Sequence, residues 1–211
     1  ASPVALGRRV LVVGATADGP AVRAIGIPSS PSEGGDGEVL VSVAPSQVAV
    51  TPVPVLDEAR SIGHVEANDL AVAVDDVWSF GSDPSRAVGA LFDRGAVAMA
   101  IDALGLAAAM LDATVAYVGE RHQFGRPIGS FQAVKHQCTD VLVELHVGRE
   151  LVGAAVELLA ADADDAWVAA SRAKAYCTQA AVRSAGTAMQ LHGGIGYTWE
   201  SGVHRYLKRA T

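Results

Sequence analysis

The sequence predicts an α+β protein in which a small β domain, residues 1–84, precedes an antiparallel four-helix bundle, residues 85–211. Two observations predict this order. Short β-branched runs alternate with turn residues before Pro84, whereas apolar residues recur at steps of three and four after it. Half of the 211 residues are apolar and only 18% are charged, so the chain has enough apolar material for packed cores.

The β domain is predicted from runs of about four to eight residues, each bounded by Gly, Pro or Asp. A Gly-rich turn at residues 14–19 follows the first run. It lacks the Lys of a phosphate-binding loop and precedes another apparent strand, which favours a plain hairpin. The predicted strands are Arg9–Val13, Val22–Ile27, Val39–Val43, Val48–Val55, Gly63–Glu66 and Leu70–Val74.

The bundle is predicted from three long apolar stripes and a fourth, shorter helix over Val203–Ala210. Pro127 is expected near the start of the second helix, and the acidic residues 162–165 are expected to end that helix and cap the third. The three stripes are Val97, Ile101, Leu104, Ala108, Leu111, Val115 and Val118; Val134, Cys138, Val141, Leu145, Gly148, Val152, Ala155 and Leu159; and Val168, Ser171, Ala175, Thr178, Val182, Ala185 and Met189.

Composition and charge exclude several function classes. The net charge of −7 disfavours nucleic-acid binding. Two cysteines cannot form a disulfide framework or a four-thiolate zinc site, and the six histidines show no metal-ligand spacing. Charged residues interrupt the apolar stretch Val88–Val118, so no membrane insertion is expected. With no signal peptide at its start, the chain is expected in the cytoplasm, and its missing initiator Met suggests a fragment.

Two loops of the predicted bundle carry residues suited to ligand binding. Residues 120–129 join the first two helices, and Arg121 offers a planar guanidinium that suits a pyrophosphate. An ordinary interhelical turn has the same polar composition. Residues 190–197 place Gly193, Gly194 and Gly196 at the end of the third helix. Glycines there either terminate the helix or let a ligand touch the backbone.

Together, these loops resemble the acyl-CoA dehydrogenase family of flavoenzymes. Residues 120–133 are similar to the family's Arg-x-x-Phe-Gly signature and the helix after it, and residues 190–194 to its Gln-x-x-Gly-Gly signature, with matching order and spacing. Residues 57–77 resemble the last strands of the family's β domain, and Phe92–Arg94 the start of a helix that contributes to acyl-CoA binding. The resemblance implies part of a central β domain over 1–84 and the C-terminal four-helix bundle over 85–211.

The resemblance also implies an activity and partners. The family's FAD takes a hydride from the β-carbon of an acyl-CoA while a Glu takes the α-proton, as in the β-oxidation of fatty acids or other lipids. FAD lies between the β domain and the bundle, and the neighbouring subunit completes its site. The implied partners are an acyl-CoA, an electron-transfer flavoprotein or similar acceptor, and the same or homologous subunits in a dimer or tetramer.

The resemblance implies roles for specific residues. Arg121 is expected to meet the FAD pyrophosphate, Phe131 and Gln132 to flank the cofactor, and residues 190–194 to hold its adenosine end. Asp93 and Arg94 are expected near the thioester. The implied cofactor residues are Arg121, Gln123, Phe124, Ile128, Phe131, Gln132, Gln190, Leu191, His192, Gly193 and Gly194.

No catalytic Glu is identified in the sequence. One family position for it falls at Gly95, which cannot act as a base, and the other falls beyond Thr211. Glu200 is expected in the turn before the fourth helix, as a surface or capping residue. Three hypotheses follow: an FAD-dependent acyl-CoA dehydrogenase, a non-catalytic partner that completes the FAD site of a homologous chain, and a flavin-free helical-bundle interaction domain.

Overall fold

A computed structural model describes residues 4–14, 22–28, 39–57, 59–60, 62–66, 71–73, 75, 77–79 and 83–211. The chain divides into two compact units, residues 1–90 and 91–211. Most of the strands belong to the first unit and most of the helical residues to the second, which confirms the predicted α+β class.

The first unit contains a five-stranded antiparallel sheet in the order β6-β1-β2-β3-β7. The pairing of β1 with β2 confirms the predicted hairpin, although its turn lies outside the described residues. In β3, Val41 and Val43 are both buried, as expected for alternate residues on one face of a strand. The strands are β1 (Val4–Gly14), β2 (Val22–Pro28), β3 (Val39–Val43), β6 (Ala71–Val72) and β7 (Val77–Ser79).

A separate hairpin pairs β4 (Ala49–Val53) with β5 (Ile62–Glu66). Val50 and Ile62 are exposed on it, so this hairpin buries little apolar surface of its own. The sequence predicts both strands within two residues of their observed ends. The sequence patterns missed β7, which has only three residues and therefore too few for an alternation to register.

The second unit is a four-helix bundle, as predicted. Arg183 on the third helix donates to Glu144 on the second at 2.6 Å, and the Cys177 thiol lies 3.8 Å from the Gly148 carbonyl. Because the residue number rises along one helix while it falls along the other, these two helices are antiparallel. The helices are α1 (Pro84–Glu120), α2 (Gln132–Ala160), α3 (Ala166–His192) and α4 (Val203–Ala210).

The bundle core is richer in alanine than the predicted stripes. On α2 the predicted residues Val141, Leu145, Gly148 and Ala155 are buried, which confirms that stripe. On α1, Val97 and Val118 are buried, Leu104, Ala108 and Leu111 are half-buried, and Ile101 and Val115 are exposed. On α3, Val182 is exposed, and of the predicted stripe only Ala185 and Met189 are buried. Many of the other buried core residues are small side chains of α1 and α3, and those of α3 allow it to pack closely on α2. They include Ala100, Ala103 and Ala107 on α1, and Ala170, Ala173, Cys177 and Ala181 on α3.

Two predicted helix ends differ from the structure. Pro127 does not begin α2; it lies in a short strand, β9 (Arg126–Pro127), which pairs with β8 (His122–Gln123). Asp165 occupies the N-cap position of α3 as predicted, but its carboxylate makes no capping hydrogen bond to the described residues. The predicted bounds of α4 are confirmed.

By length and composition alone, α1 could cross a membrane over Arg86–Glu120. A core helix passes the same test, and α1 contributes Val97, Ala100, Ala103 and Ala107 to the bundle core. Arg209 of α4 also donates to Asp102 of α1 at 3.0 Å. Packing on one face and an ion pair in mid-helix therefore favour the core-helix interpretation.

Gly148 provides a test of the close packing. A Cβ at this position would lie 2.9 Å from Leu104 Cδ1 and 3.2 Å from Cys177 Sγ. We expect Gly148→Ala to lower the free energy of unfolding, because overpacking costs about 1–3 kcal/mol and the gain in helix propensity is about 1 kcal/mol.

Gly153 on the exposed side of α2 is the matched control, since no described atom lies within 4 Å of the position that a Cβ would take there. Gly153→Ala should therefore raise the melting temperature measured by circular dichroism. An equal rise in both variants would contradict the close contacts of Leu104 and Cys177 with Gly148.

Candidate functional site

The connection between α1 and α2 is a tight, ordered loop. The Arg121 N–H donates to the Tyr117 carbonyl at 2.9 Å, and the Ile128 N–H donates to the Arg121 carbonyl at 2.7 Å, which closes the loop on itself. Phe124 and Gly125 form its tip with φ values of 53° and 78°. Gly125 suits that left-handed backbone, and Phe124 adopts it with its side chain almost fully exposed.

Phe131 anchors the second half of this loop. The Arg126 guanidinium lies 4.0 Å from the centroid of the Phe131 ring, a cation–π contact, and Phe124 meets the same ring edge-on at 6.2 Å. Phe131 also occupies the N-cap position of α2, with extended φ and ψ. These ring contacts thus fix the predicted cofactor residues Phe124 and Phe131 relative to the start of α2.

The N-terminus of α2 is electropositive. No side chain in the described part of the chain caps it, and its first turn contains no acidic residue. The first backbone N–H groups of a helix lack intrahelical acceptors, and the helix dipole adds a partial positive charge there. Gln132, the first residue of α2, is exposed at this end. Such an end can donate hydrogen bonds from its N–H groups to an anion.

The end of α3 holds the second predicted loop. Gly193 ends the helix with φ 61° and ψ −144°, a backbone conformation essentially restricted to glycine. A short 3₁₀-helix, Gly193–Tyr197, follows and folds back on α3. A Cβ on Gly196 would lie 3.0 Å from the Met189 carbonyl oxygen, so glycine is required there for close approach. Gln190, Gly193 and Gly194 are exposed at this end.

A stacked pair of rings brings the two loops together. Tyr117 and His192 have ring centroids 4.4 Å apart and an interplanar angle of 17°. The Tyr117 hydroxyl also donates to the His192 carbonyl at 3.4 Å. Tyr117 lies one helical turn before Arg121, and His192 directly precedes Gly193. The predicted pyrophosphate residue and the predicted adenosine residues therefore lie at one end of the bundle.

Among the predicted cofactor residues, His192 has a buried side chain. It is 7% exposed, and its Nδ1 lies 2.8 Å from the Ala188 carbonyl. A carbonyl only accepts, so Nδ1 carries the proton in this hydrogen bond. Any contact of His192 with a cofactor would therefore involve its backbone. Tyr117 itself was missed by sequence reasoning, because a single tyrosine near the end of an apolar helix carries no distinguishing pattern.

Arg121 and Gly194 present their surfaces to solvent. The Arg121 side chain is exposed, and no carboxylate among the described residues pairs with it. For Gly194, no described atom lies within 4 Å of the position of a Cβ. The end of the bundle thus combines an available cation with open backbone, which are the features an anionic, planar ligand requires.

The predicted acyl-CoA residues lie far from this end. Asp93 and Arg94 are on the first part of α1. Arg94 precedes Arg121 by about 27 residues, which corresponds to roughly 40 Å at the rise of an α-helix. Gly95 is exposed on the same helix, and Glu200 lies in the turn before α4, as predicted. The structure therefore does not bring Asp93 and Arg94 to the Arg121 end of the bundle.

The cysteines and the metal-ligating residue types lie apart from this end. Burial raises the pKa of the Cys138 and Cys177 thiols above the ordinary value, so both stay protonated at neutral pH. Cys177 is fully buried in the bundle core. Within the described ranges, no group of three or more metal-ligating side chains lies close together.

Comparison with known families decides the assignment. Residues 85–211 match the family model "Acyl-CoA dehydrogenase, C-terminal domain". The chain belongs to the acyl-CoA dehydrogenase family. Among curated relatives, the acyl-CoA dehydrogenase IpdE2 of Mycolicibacterium smegmatis is 34% identical over 175 residues, which cover 83% of this chain and 50% of the relative. The chain thus spans about half the length of this family member.

Solved structures of the family share the fold. Butyryl-CoA dehydrogenase from Megasphaera elsdenii superposes with a TM-score of 0.80 at 24% identity, covering 97% of this chain and 54% of the neighbour. A chain of the ChsE4–ChsE5 complex from Mycobacterium tuberculosis superposes with a TM-score of 0.74 at 27% identity, covering 94% of this chain and 59% of the neighbour. The predicted family resemblance is confirmed, and the individual site residues stay predictions.

Gly193 and Gly194 allow a matched test of the turn geometry. We expect Gly193→Ala to lower the free energy of unfolding by about 1–3 kcal/mol, because an L-residue is strained at its φ of 61°. Gly194→Ala should change it by less than about 0.5 kcal/mol, since the space around Gly194 is open and its φ is not positive. Urea unfolding measures both values. Equal losses in the two variants would contradict the Gly193 conformation.

Proposed function

We propose that this chain is part of an FAD-dependent acyl-CoA dehydrogenase and that the Arg121 end of its bundle binds the FAD pyrophosphate and adenosine. The observation that carries the proposal is the Tyr117–His192 stack, which joins the two family signatures at one end of the bundle. Family membership of residues 85–211 supports the same assignment.

The chemistry of this end fits FAD. The exposed Arg121 and the uncapped N-terminus of α2 suit a pyrophosphate, since charge-assisted hydrogen bonds and helix N–H groups both favour an anion. The open backbone at Gly194 gives an adenosine room to approach. We assign cofactor contacts at the two loops to Arg121, Gln123, Phe124, Ile128, Phe131, Gln132, Gln190, Leu191, Gly193, Gly194 and the backbone of His192.

The proposed reaction is α,β-desaturation of an acyl-CoA thioester. FAD, when bound, supplies a hydride acceptor for the β-carbon. The residues of this chain bind and orient: Arg121 neutralises phosphate charge, and Asp93 and Arg94 lie on the part of α1 proposed to face the thioester. Residues 1–211 offer no assigned base for the α-proton, because Gly95 lacks a side chain and Glu200 lies in an exposed turn.

The length of α1 supports a shared site between subunits. Arg121 and the pair Asp93–Arg94 are separated by roughly 40 Å along one helix, which is farther than the pyrophosphate of an FAD lies from its flavin ring, so one FAD cannot serve both ends. The Arg121 end of one subunit then serves the FAD of another, and the proposed partners are the same or homologous subunits. We further propose an electron-transfer flavoprotein or similar acceptor, a role in lipid β-oxidation, a cytoplasmic location and no membrane insertion.

A second candidate function is that of a non-catalytic partner that completes the FAD site of a homologous chain. Glycine at position 95, one family position of the catalytic Glu, favours it. The ChsE4–ChsE5 neighbour is itself a complex of two named chains. In this candidate function the homologous chain supplies the catalytic Glu, while Arg121 and the Gln190–Gly194 turn of this chain contact the FAD of the homologous chain.

The FAD assignment predicts a specific loss for Arg121→Ala. A charge-assisted hydrogen bond contributes about 1.5–3 kcal/mol, so FAD affinity should fall roughly tenfold or more. The melting temperature of the apoprotein should stay unchanged, because Arg121 is exposed. Fluorescence titration with FAD and thermal denaturation measure the two quantities.

Arg205→Ala is the matched control, since Arg205 is an exposed arginine on α4, outside both loops. It should leave FAD affinity unchanged. Unchanged FAD affinity in Arg121→Ala would contradict the assignment of this loop to the FAD site. Absence of any flavin binding in the unsubstituted protein would favour the flavin-free interaction domain.

Association tests the shared site, and turnover distinguishes the two candidate functions. Apolar side chains exposed on α1 and α2 predict a dimer or larger assembly by sedimentation at micromolar concentration; they include Met99, Ile101, Val115, Val143 and Val156. The dehydrogenase candidate predicts that an acyl-CoA bleaches the flavin of the full-length protein anaerobically. Bleaching only after a homologous subunit is added would support the partner candidate, and a flavin-bound monomer would contradict the shared site.

A further inference from the structure

Tyr117 joins three structural elements at the Arg121 end of the bundle. Its carbonyl accepts from the Arg121 N–H at 2.9 Å, which ties it to the α1–α2 loop. Its ring stacks on His192 at 4.4 Å, and its hydroxyl donates to the His192 carbonyl at 3.4 Å. One residue of α1 is therefore in contact with both family signatures.

His192 transmits this contact to the Gly-rich turn. The imidazole Nδ1 donates to Ala188 within α3, so the orientation of the ring is set by its own helix. On the other side, a Cβ on Gly196 would lie 3.1 Å from the His192 Cβ, so the 3₁₀-helix packs directly against His192. Tyr117, His192 and Gly196 thus form one continuous series of contacts.

We propose that Tyr117 is a positioning residue that acts through His192 to hold the Gly193–Gly194 turn at a fixed separation from Arg121. The inference rests on the proposed function, in which a single FAD meets both loops. A ligand with two anchored ends binds more tightly when both anchors are already in place, because binding does not then have to order them. The stack supplies a direct link between the two loops, whereas the route through the helices is long.

The ring contributes more than the hydroxyl. A stacked pair at 4.4 Å is at close contact, whereas a donor–acceptor distance of 3.4 Å is long for an O–H···O hydrogen bond. Tyr117→Phe should therefore keep most of the positioning, and Tyr117→Leu should remove it. Retention of FAD affinity in Tyr117→Phe but not in Tyr117→Leu would assign the positioning to the ring stack rather than to the hydroxyl.

The test uses the full-length protein and FAD itself. We expect Tyr117→Leu to raise the Kd for FAD about fivefold to tenfold and Tyr117→Phe to raise it less than about threefold. Tyr176→Leu is the matched control, because Tyr176 is a half-buried tyrosine of α3 that packs against the bundle core at Gly148. It should lower the melting temperature and leave the Kd for FAD unchanged.

A double variant provides a measurement that a purely structural role would not change. If Tyr117 acts by placing the turn relative to Arg121, the Kd increase of Arg121→Ala with Tyr117→Leu should be smaller than the product of the single increases. An increase equal to the product would overturn the inference. Equal FAD losses in Tyr117→Leu and Tyr176→Leu would also overturn it.

The same measurements separate this inference from the proposed function. Weaker FAD binding in Arg121→Ala but not in Tyr117→Leu would overturn the positioning role and leave the FAD site supported. Absence of FAD binding in the unsubstituted protein would overturn the proposed function and the inference with it.

Discussion

The stacking of Tyr117 on His192 is the contact on which the candidate site depends. The two residues are 75 positions apart in sequence, and each lies beside one family signature. The stack requires α1 and α3 to end level with each other, so its geometry is a consequence of helix packing along the whole bundle. Each loop is fixed locally by its own helix, and the stack relates one loop to the other. What the site needs from the fold is therefore a rigid, closely packed set of helices.

Small residues provide that rigidity. Ala170, Ala173, Cys177 and Ala181 lie on the buried face of α3, and side-chain atoms of Leu104 and Cys177 lie 2.9 and 3.2 Å from the position that a Cβ on Gly148 would take. Close backbone approach leaves few voids, and tightly packed interiors transmit displacement because they deform little. The ion pair of Arg183 with Glu144 lies outside this core and adds only modestly, since exposed pairs are screened by water. Packing of small side chains is thus the larger contribution to the frame that holds the two loops.

Sequence patterns predicted the elements of the fold better than the faces they bury. The β1–β2 hairpin, the four helices and the bounds of α4 follow from turn residues and helical periodicity. Periodicity selected the buried face of α1 only in part. Val97 and Val118 are buried, but Ile101 and Val115 are exposed, because this helix is apolar on several sides and an alanine stripe runs beside the Val and Ile stripe. Arg121 and the Gly-rich turn were recognisable as signatures. Tyr117 was not, because its partner is distant in sequence and a stack of two rings leaves no local pattern.

Two residues of the predicted α1 stripe, Ile101 and Val115, are exposed, although Val97 and Val118 of the same stripe are buried. Large apolar residues normally occupy a helix's buried face because they remove the most area from water. Here the bundle buries Ala100, Ala103 and Ala107 and leaves Ile101 and Val115 exposed. The apolar surface of Ile101 and Val115 therefore stays exposed in the single chain. Under the proposed function, the roughly 40 Å between Arg94 and Arg121 would place the two ends of α1 at different active sites. An exposed apolar face and a divided site on the same helix both favour an assembly of subunits over an isolated chain.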